Sequence, residues 1–97
     1  MSVTKMNILQ YLEDHFQEFH QKYSVEQIGL FGSYARNEAT EDSDIDIAVS
    51  MHPKLFDIIA IKDQIEKDLH KKVDIVRLRP KMNLRLRERI LKDCLFV

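Results

Sequence analysis

Gly32-Ser33-Tyr34-Ala35-Arg36-Asn37-Glu38-Ala39-Thr40-Glu41-Asp42-Ser43-Asp44-Ile45-Asp46-Ile47-Ala48-Val49 is the stretch that decides the fold. It opens on a small-residue turn, where backbone N–H groups can face a phosphate. Ten residues later come two carboxylates, Asp44 and Asp46, at the start of an apolar run. Side chains at i and i+2 of a strand project from the same face. Two such carboxylates, joined by a third from a neighbouring strand, are what a divalent-metal site for phosphoryl chemistry requires. Asp74, inside Val73-Asp74-Ile75-Val76, is the available third.

Working outward, Leu9, Leu12, Phe16, Phe19 and Tyr23 alternate in steps of three and four, which predicts an amphipathic helix from about Thr4 to Tyr23 with Thr4 as N-cap. Ile28, Leu30 and Phe31 predict a short strand ending at Gly32. Ser33 to Asn37 would open a short helix, and the polar run Glu38 to Ser43 a loop. Ile45 to Val49 predicts the next strand, and the apolar positions Leu55, Ile58, Ile59, Ile61, Ile65 and Leu69 predict one side of a helix over about Lys54 to Lys71. Val73 to Leu78 reads as a third strand, with Pro80 at its exit. Asn83 to Lys92 reads as a helix, and Leu95 to Val97 as a last short strand. The order is α-β-α-β-α-β-α-β. The unit from Ile45 to Leu78 has room for a crossover, so the expectation is an α/β (α+β) fold: a mixed sheet of about four strands with helices packed on it.

Each candidate residue has a bland reading beside the functional one. Asp44 and Asp46 could be solvated residues on a half-exposed strand, but two adjacent carboxylates repel each other unless a cation sits between them. Asp74 alone would read as an outward-facing strand residue, and beside that motif it reads as a ligand of the metal that holds the acceptor hydroxyl. Gly32 and Ser33 would let the backbone and the Ser33 hydroxyl approach nucleotide phosphates; the alternative is an ordinary strand-to-helix turn. Arg36 could reach a phosphate or pair with Asp44 or Glu38. Ser43, included among the nucleotide-side candidates, suits shaping the turn into the strand better than touching substrate. His15, His20, His52, His70 and Cys94 show no metal-ligand spacing and are given no catalytic role.

The whole constellation resembles the minimal nucleotidyltransferase family of the DNA polymerase β superfamily over about Ile28 to Val76. The resemblance implies a polymerase β palm-like fold and a metal site at Asp44, Asp46 and Asp74 holding one or two Mg²⁺ ions. ATP would be the nucleotide donor, near Gly32, Ser33, Arg36 and Ser43. Asn37 stands where relatives commonly carry glycine, and Asn tolerates the left-handed backbone such a turn needs. Chains of this length resemble the antitoxins of prokaryotic toxin–antitoxin pairs. That likeness implies a HEPN-type ribonuclease toxin as partner, adenylylated on a hydroxyl, commonly a tyrosine.

The chain's 97 residues make one domain, 1–97, with a single modest core. A net charge of −1, from 15 basic and 16 acidic residues, argues against direct binding of nucleic acid. The charge is uneven all the same: Arg77, Arg79, Lys81, Arg85, Arg87, Arg89 and Lys92 face only Glu88 between positions 77 and 92. A single cysteine fits a reducing compartment, and no apolar run approaches the ~20 residues of a membrane span, so a cytoplasmic protein is expected. The leading reading is an enzyme that transfers a nucleoside monophosphate from an NTP to a hydroxyl. Two others stand beside it: a non-catalytic antitoxin that neutralises its partner by binding, and a small-molecule nucleotidyltransferase of the aminoglycoside kind, which normally needs extra helices for its acceptor pocket.

Overall fold

The structure is a computed structural model and describes residues 3–97. Its elements are α1 (Lys5–Tyr23), β1 (Gln27–Phe31), α2 (Gly32–Ala35), β2 (Ile45–Ser50), α3 (Leu55–Leu69), β3 (Val73–Arg77), α4 (Leu84–Asp93) and β4 (Leu95–Phe96). The alternating order read from the sequence is borne out. The boundaries follow local chemistry. Thr4 caps α1 through a capping box, its Oγ1 accepting from the Asn7 N–H at 3.1 Å while the Asn7 side chain accepts from the Thr4 N–H at 3.2 Å. Ser24 closes α1 in the left-handed region, with φ 58°. Asn83 caps α4, its Oδ1 accepting from the Leu86 N–H at 3.1 Å. The third helix ends at Leu69, two residues short of the expected Lys71, because His70 turns left-handed at φ 55°.

The four strands lie in the order β3-β2-β1-β4. β2 pairs antiparallel with β1 and parallel with β3, with α3 as the crossover, and β4 adds antiparallel to the far side of β1. Alternation then gives the sheet two unlike faces. Ile28, Leu30, Ile45, Ile47, Val49 and Val73 point into the main core against Ile8, Leu12 and Phe19 of α1 and Ile61 and Ile65 of α3. All but Val73, at 1% exposure, are fully enclosed. Each such side chain contributes about 1.5–3 kcal/mol through burial. The opposite face carries a smaller core, Ala48 under Met82 and Ile90 of the α4 region, flanked by Phe31, Val76 and Cys94.

One expectation about α3 needs correcting. Leu55 and Ile59 do not join the inner side of α3: they are 66% and 43% exposed, and Phe56 between them is 85% exposed. Only Ile61 and Ile65 are fully buried, with Ile58 and Leu69 packed partly against the core. In α4, Leu84 is likewise 67% exposed, and the helix docks through Ile90.

Candidate active site

The site lies where β1 ends and β2 and β3 begin. Parallel register sets Asp46 directly beside Asp74, and antiparallel register sets Phe31 beside Asp46 on its other flank. Asp44 precedes β2 by one residue, and the Ile45 N–H donates to the Lys72 carbonyl at 2.9 Å, which locks the start of β2 to the turn before Asp74. The face carrying the three carboxylates is the one that α4 covers only in part. Asp46 is half-buried; Asp44 and Asp74 are exposed.

Gly32 makes this corner possible for two reasons. Its φ of 76° is one that L side chains rarely adopt. A Cβ there would also fall 2.9 Å from Asp46 Cγ and 3.1 Å from Asp46 Cβ, with the carboxylate oxygen closer still. The missing side chain therefore leaves the Asp46 carboxylate against the bare backbone of the turn. Ser33 follows, half-buried, and its carbonyl accepts from the Glu38 N–H at 2.8 Å. Asn37 takes the left-handed conformation, φ 60°, that its glycine-like position called for.

Burial pushes the Asp46 carboxyl above its ordinary value, and the charges of Asp74 and Asp44 push it further, while Arg36 pulls it back. Among the described residues no three His, Cys, Asp or Glu side chains converge into a ready-made metal cluster. Asp46 feels the charges of both Asp74 and Asp44, although the three side chains do not converge on one point. The residues fit a hard divalent cation nonetheless: the donors are all carboxylate oxygens, they carry repulsion a cation would relieve, and Gly32 opens the corner to phosphate.

Arg36 sits at the C-terminal end of α2. Its Nε donates to Glu38 at 3.0 Å and its Nη1 to Asp93, the last residue of α4, at 3.0 Å. The Glu38 pairing was one of the expected outcomes; the Asp93 pairing joins positions 57 apart and had no local signal. Ser43 closes a turn, its Oγ accepting from the Thr40 N–H at 2.9 Å. A further anchor that the sequence did not point to is Lys71, whose Nζ donates to the Glu41 carbonyl at 2.7 Å and lies 6.0 Å from the Tyr34 ring centroid. It ties the loop between Ser33 and Asp44 to the turn before β3. A cavity of about 1060 Å³ lies beside this loop, between Asn7, Tyr34, Thr40, Asp68 and Lys71, and none of the three carboxylates lines it.

The chain is similar to known nucleotidyltransferases in sequence and in fold. The family described as polymerase beta, nucleotidyltransferase matches residues 13–96. The protein adenylyltransferase MntA of Thermococcus cleftensis is 34% identical over 88 residues, covering 89% of this chain and 88% of that one. A Methanocaldococcus jannaschii chain, MJ1379, which carries the provisional name of protein adenylyltransferase, is 36% identical over 98 residues, covering 97% and 98%. Among solved structures, one provisionally described as a minimal nucleotidyltransferase superposes with a TM-score of 0.77 at 31% identity over 96% of this chain and 95% of that chain. The fold is shared also with a chain from the tri-AMPylated Shewanella oneidensis HEPN toxin in complex with MNT antitoxin, with a TM-score of 0.62 at 23% identity over 90% and 69%.

Proposed function

This chain belongs to the polymerase β nucleotidyltransferase family, and on that footing we propose that residues 1–97 act as a single minimal domain, a Mg²⁺-dependent protein adenylyltransferase moving AMP from ATP to a partner's hydroxyl. The observation that carries the reading is the registered pair Asp46 and Asp74, with Asp44 on the same face, beside a turn that Gly32 keeps free of side chain. Asp44, Asp46 and Asp74 would hold Mg²⁺, which when bound neutralises charge on the transferred phosphoryl group and the leaving pyrophosphate. Gly32 and Ser33 would orient the nucleotide's phosphates through backbone N–H groups and the Ser33 hydroxyl. Asp74, on the exposed flank of the pair, would receive the proton of the acceptor hydroxyl. Arg36 would keep the turn in place through Asp93, and Ser43 would shape the approach to Asp44.

A protein acceptor suits this architecture, because Asp44 and Asp74 are exposed and Asp46 is only half-buried. The acceptor proposed is a tyrosine of a HEPN-type toxin, which this chain would silence as an antitoxin in the cytoplasm. The names of the relatives and of the solved toxin–antitoxin complex support that partner class.

The test uses ATP labelled at the α-phosphate, Mg²⁺, the purified chain and the product of the adjacent gene. Label should move onto the partner with the wild type and not with the Asp44→Ala/Asp46→Ala double variant. A partner that stays unlabelled, yet is bound and inhibited equally by both proteins, would replace the enzyme with a steric antitoxin.

A further inference from the structure

At the far end of the same sheet face, β1 and β2 place Gln27 opposite Ser50, four residues along from Phe31 and Asp46. At about 3.3 Å per residue that is roughly 13 Å from the carboxylates. A second cavity of about 350 Å³ opens there between the sheet and α4, lined by Gln27, Ser50, Arg79, Arg87, Leu91 and Phe96 among others, none of them acidic. The Nε of Arg87 is buried and has no hydrogen-bond partner. Enclosed guanidinium N–H groups are rarely left unmade, because each forgoes its bond to water without a replacement. Among the described residues the ion pairs are those of Arg36, so neither Arg79 nor Arg87 is neutralised by a carboxylate.

We propose that this cavity is a binding site for a phosphate monoester dianion, with Arg87 and Arg79 as its cationic ligands. Two guanidinium groups without carboxylate partners match a doubly charged head better than a single carboxylate. The Nε of Arg87 is enclosed, so the terminal guanidinium nitrogens of Arg87 and Arg79 are what line the cavity as donors to an oxyanion. Ser50 and Gln27 add neutral donors from the sheet. Leu91 and Phe96 supply an apolar wall for the carbon body of the ester. Occupancy would bridge α4, the segment after β3 and the sheet, tightening α4 from the end opposite its Arg36–Asp93 tie. The site is separate from the carboxylates and does not depend on the adenylyltransferase reading.

The experiment is an amide and guanidinium NMR titration of the full chain in metal-free, mildly alkaline buffer at constant ionic strength. The probes are inorganic phosphate, ribose 5-phosphate and acetate. Saturable shifts at Gln27, Ser50 and Arg87 Nε are expected with both phosphates. Arg87→Gln and Arg79→Gln should each weaken binding about tenfold, and Asp46→Asn should leave it unchanged. Arg79 is exposed, so its replacement keeps the test valid if Arg87→Gln disturbs folding. Shifts that never saturate, that survive the Arg79 replacement, or that appear only around Ser33 and Asp46 would overturn the site. Saturation by acetate as tight as by phosphate would overturn the dianion assignment.

Discussion

A half-buried carboxylate with two like-charged neighbours weakens the fold that carries it. The native state holds the Asp46 carboxyl above its ordinary value, so its contribution to stability is greatest at low pH and falls as pH rises through that raised value. Asn cannot ionise. Asp46→Asn should therefore abolish nucleotidyl transfer yet raise the melting temperature near neutral pH by about 1–3 °C, after allowance for solvent screening. Scanning calorimetry in chelator checks it; a fall in melting temperature would mean that the repulsion is already relieved. At Gly32 both the φ of 76° and the approach of Asp46 oppose any side chain. Gly32→Ala is expected to cost about 1–3 kcal/mol in urea unfolding and to depress transfer further than that loss explains. Asn37, at φ 60°, should accept glycine with little change, whereas Asn37→Val should cost about 1–2 kcal/mol.

At the scale of elements, long-range polar contacts fix how helices sit on the sheet. The Tyr11 hydroxyl of α1 donates to Asp68 of α3 at 2.6 Å, and burial together with that carboxylate raises the Tyr11 phenol well above its ordinary value. Tyr11→Phe should lower stability by about 1 kcal/mol without touching transfer. The Arg36–Asp93 pair is more exposed and solvent-screened, so a double-mutant cycle should return only a small coupling. Its effect on transfer should be larger if the turn's position is what it controls. These contacts also mark the limit of what could be read in advance. The helices and strands announced themselves through local periodicity, and Asp44 and Asp46 through a two-residue spacing that only a strand turns into a shared face. Tyr11–Asp68 and Arg36–Asp93 each join residues 57 positions apart, and Lys71 reaches Glu41 across 30. No local pattern encodes such a distance; it exists only once the sheet order does. The exposure of Leu55 and Ile59 is hidden from the sequence for the same reason, since helical periodicity gives a side and says nothing of which positions along it meet the core.

Taken whole, the molecule is one sheet with a thick apolar side and a thin, chemically exposed side. The thin side is closed partly by Cys94, whose thiol burial pushes up to about 11. In the unfolded chain that thiol ionises near 9.0, so above that pH the unfolded state releases a proton that the native state retains. Stability should fall as pH rises from about 9 towards about 11, and Cys94→Ala should flatten the decline in urea melts taken across that range. Alkylating reagents at neutral pH should label Cys94 more slowly in the native protein than in the unfolded chain. Close approach sharpens this corner: a Cβ on Gly29 would lie 2.7 Å from Cys94 Sγ and 2.9 Å from the Leu95 carbonyl, so β4 can lie against β1 only because that residue is glycine. The parallel register that sets Asp46 beside Asp74 has one more consequence, and it concerns folding fidelity. Were β3 to slip by a single position, Asp74 would swing to the side where Ile61 and Ile65 are packed, driving a bare carboxylate into hydrocarbon. The same side chain that equips the outer surface for chemistry thus penalises misalignment, and a chain assembled out of step would be selected against before it ever met a nucleotide.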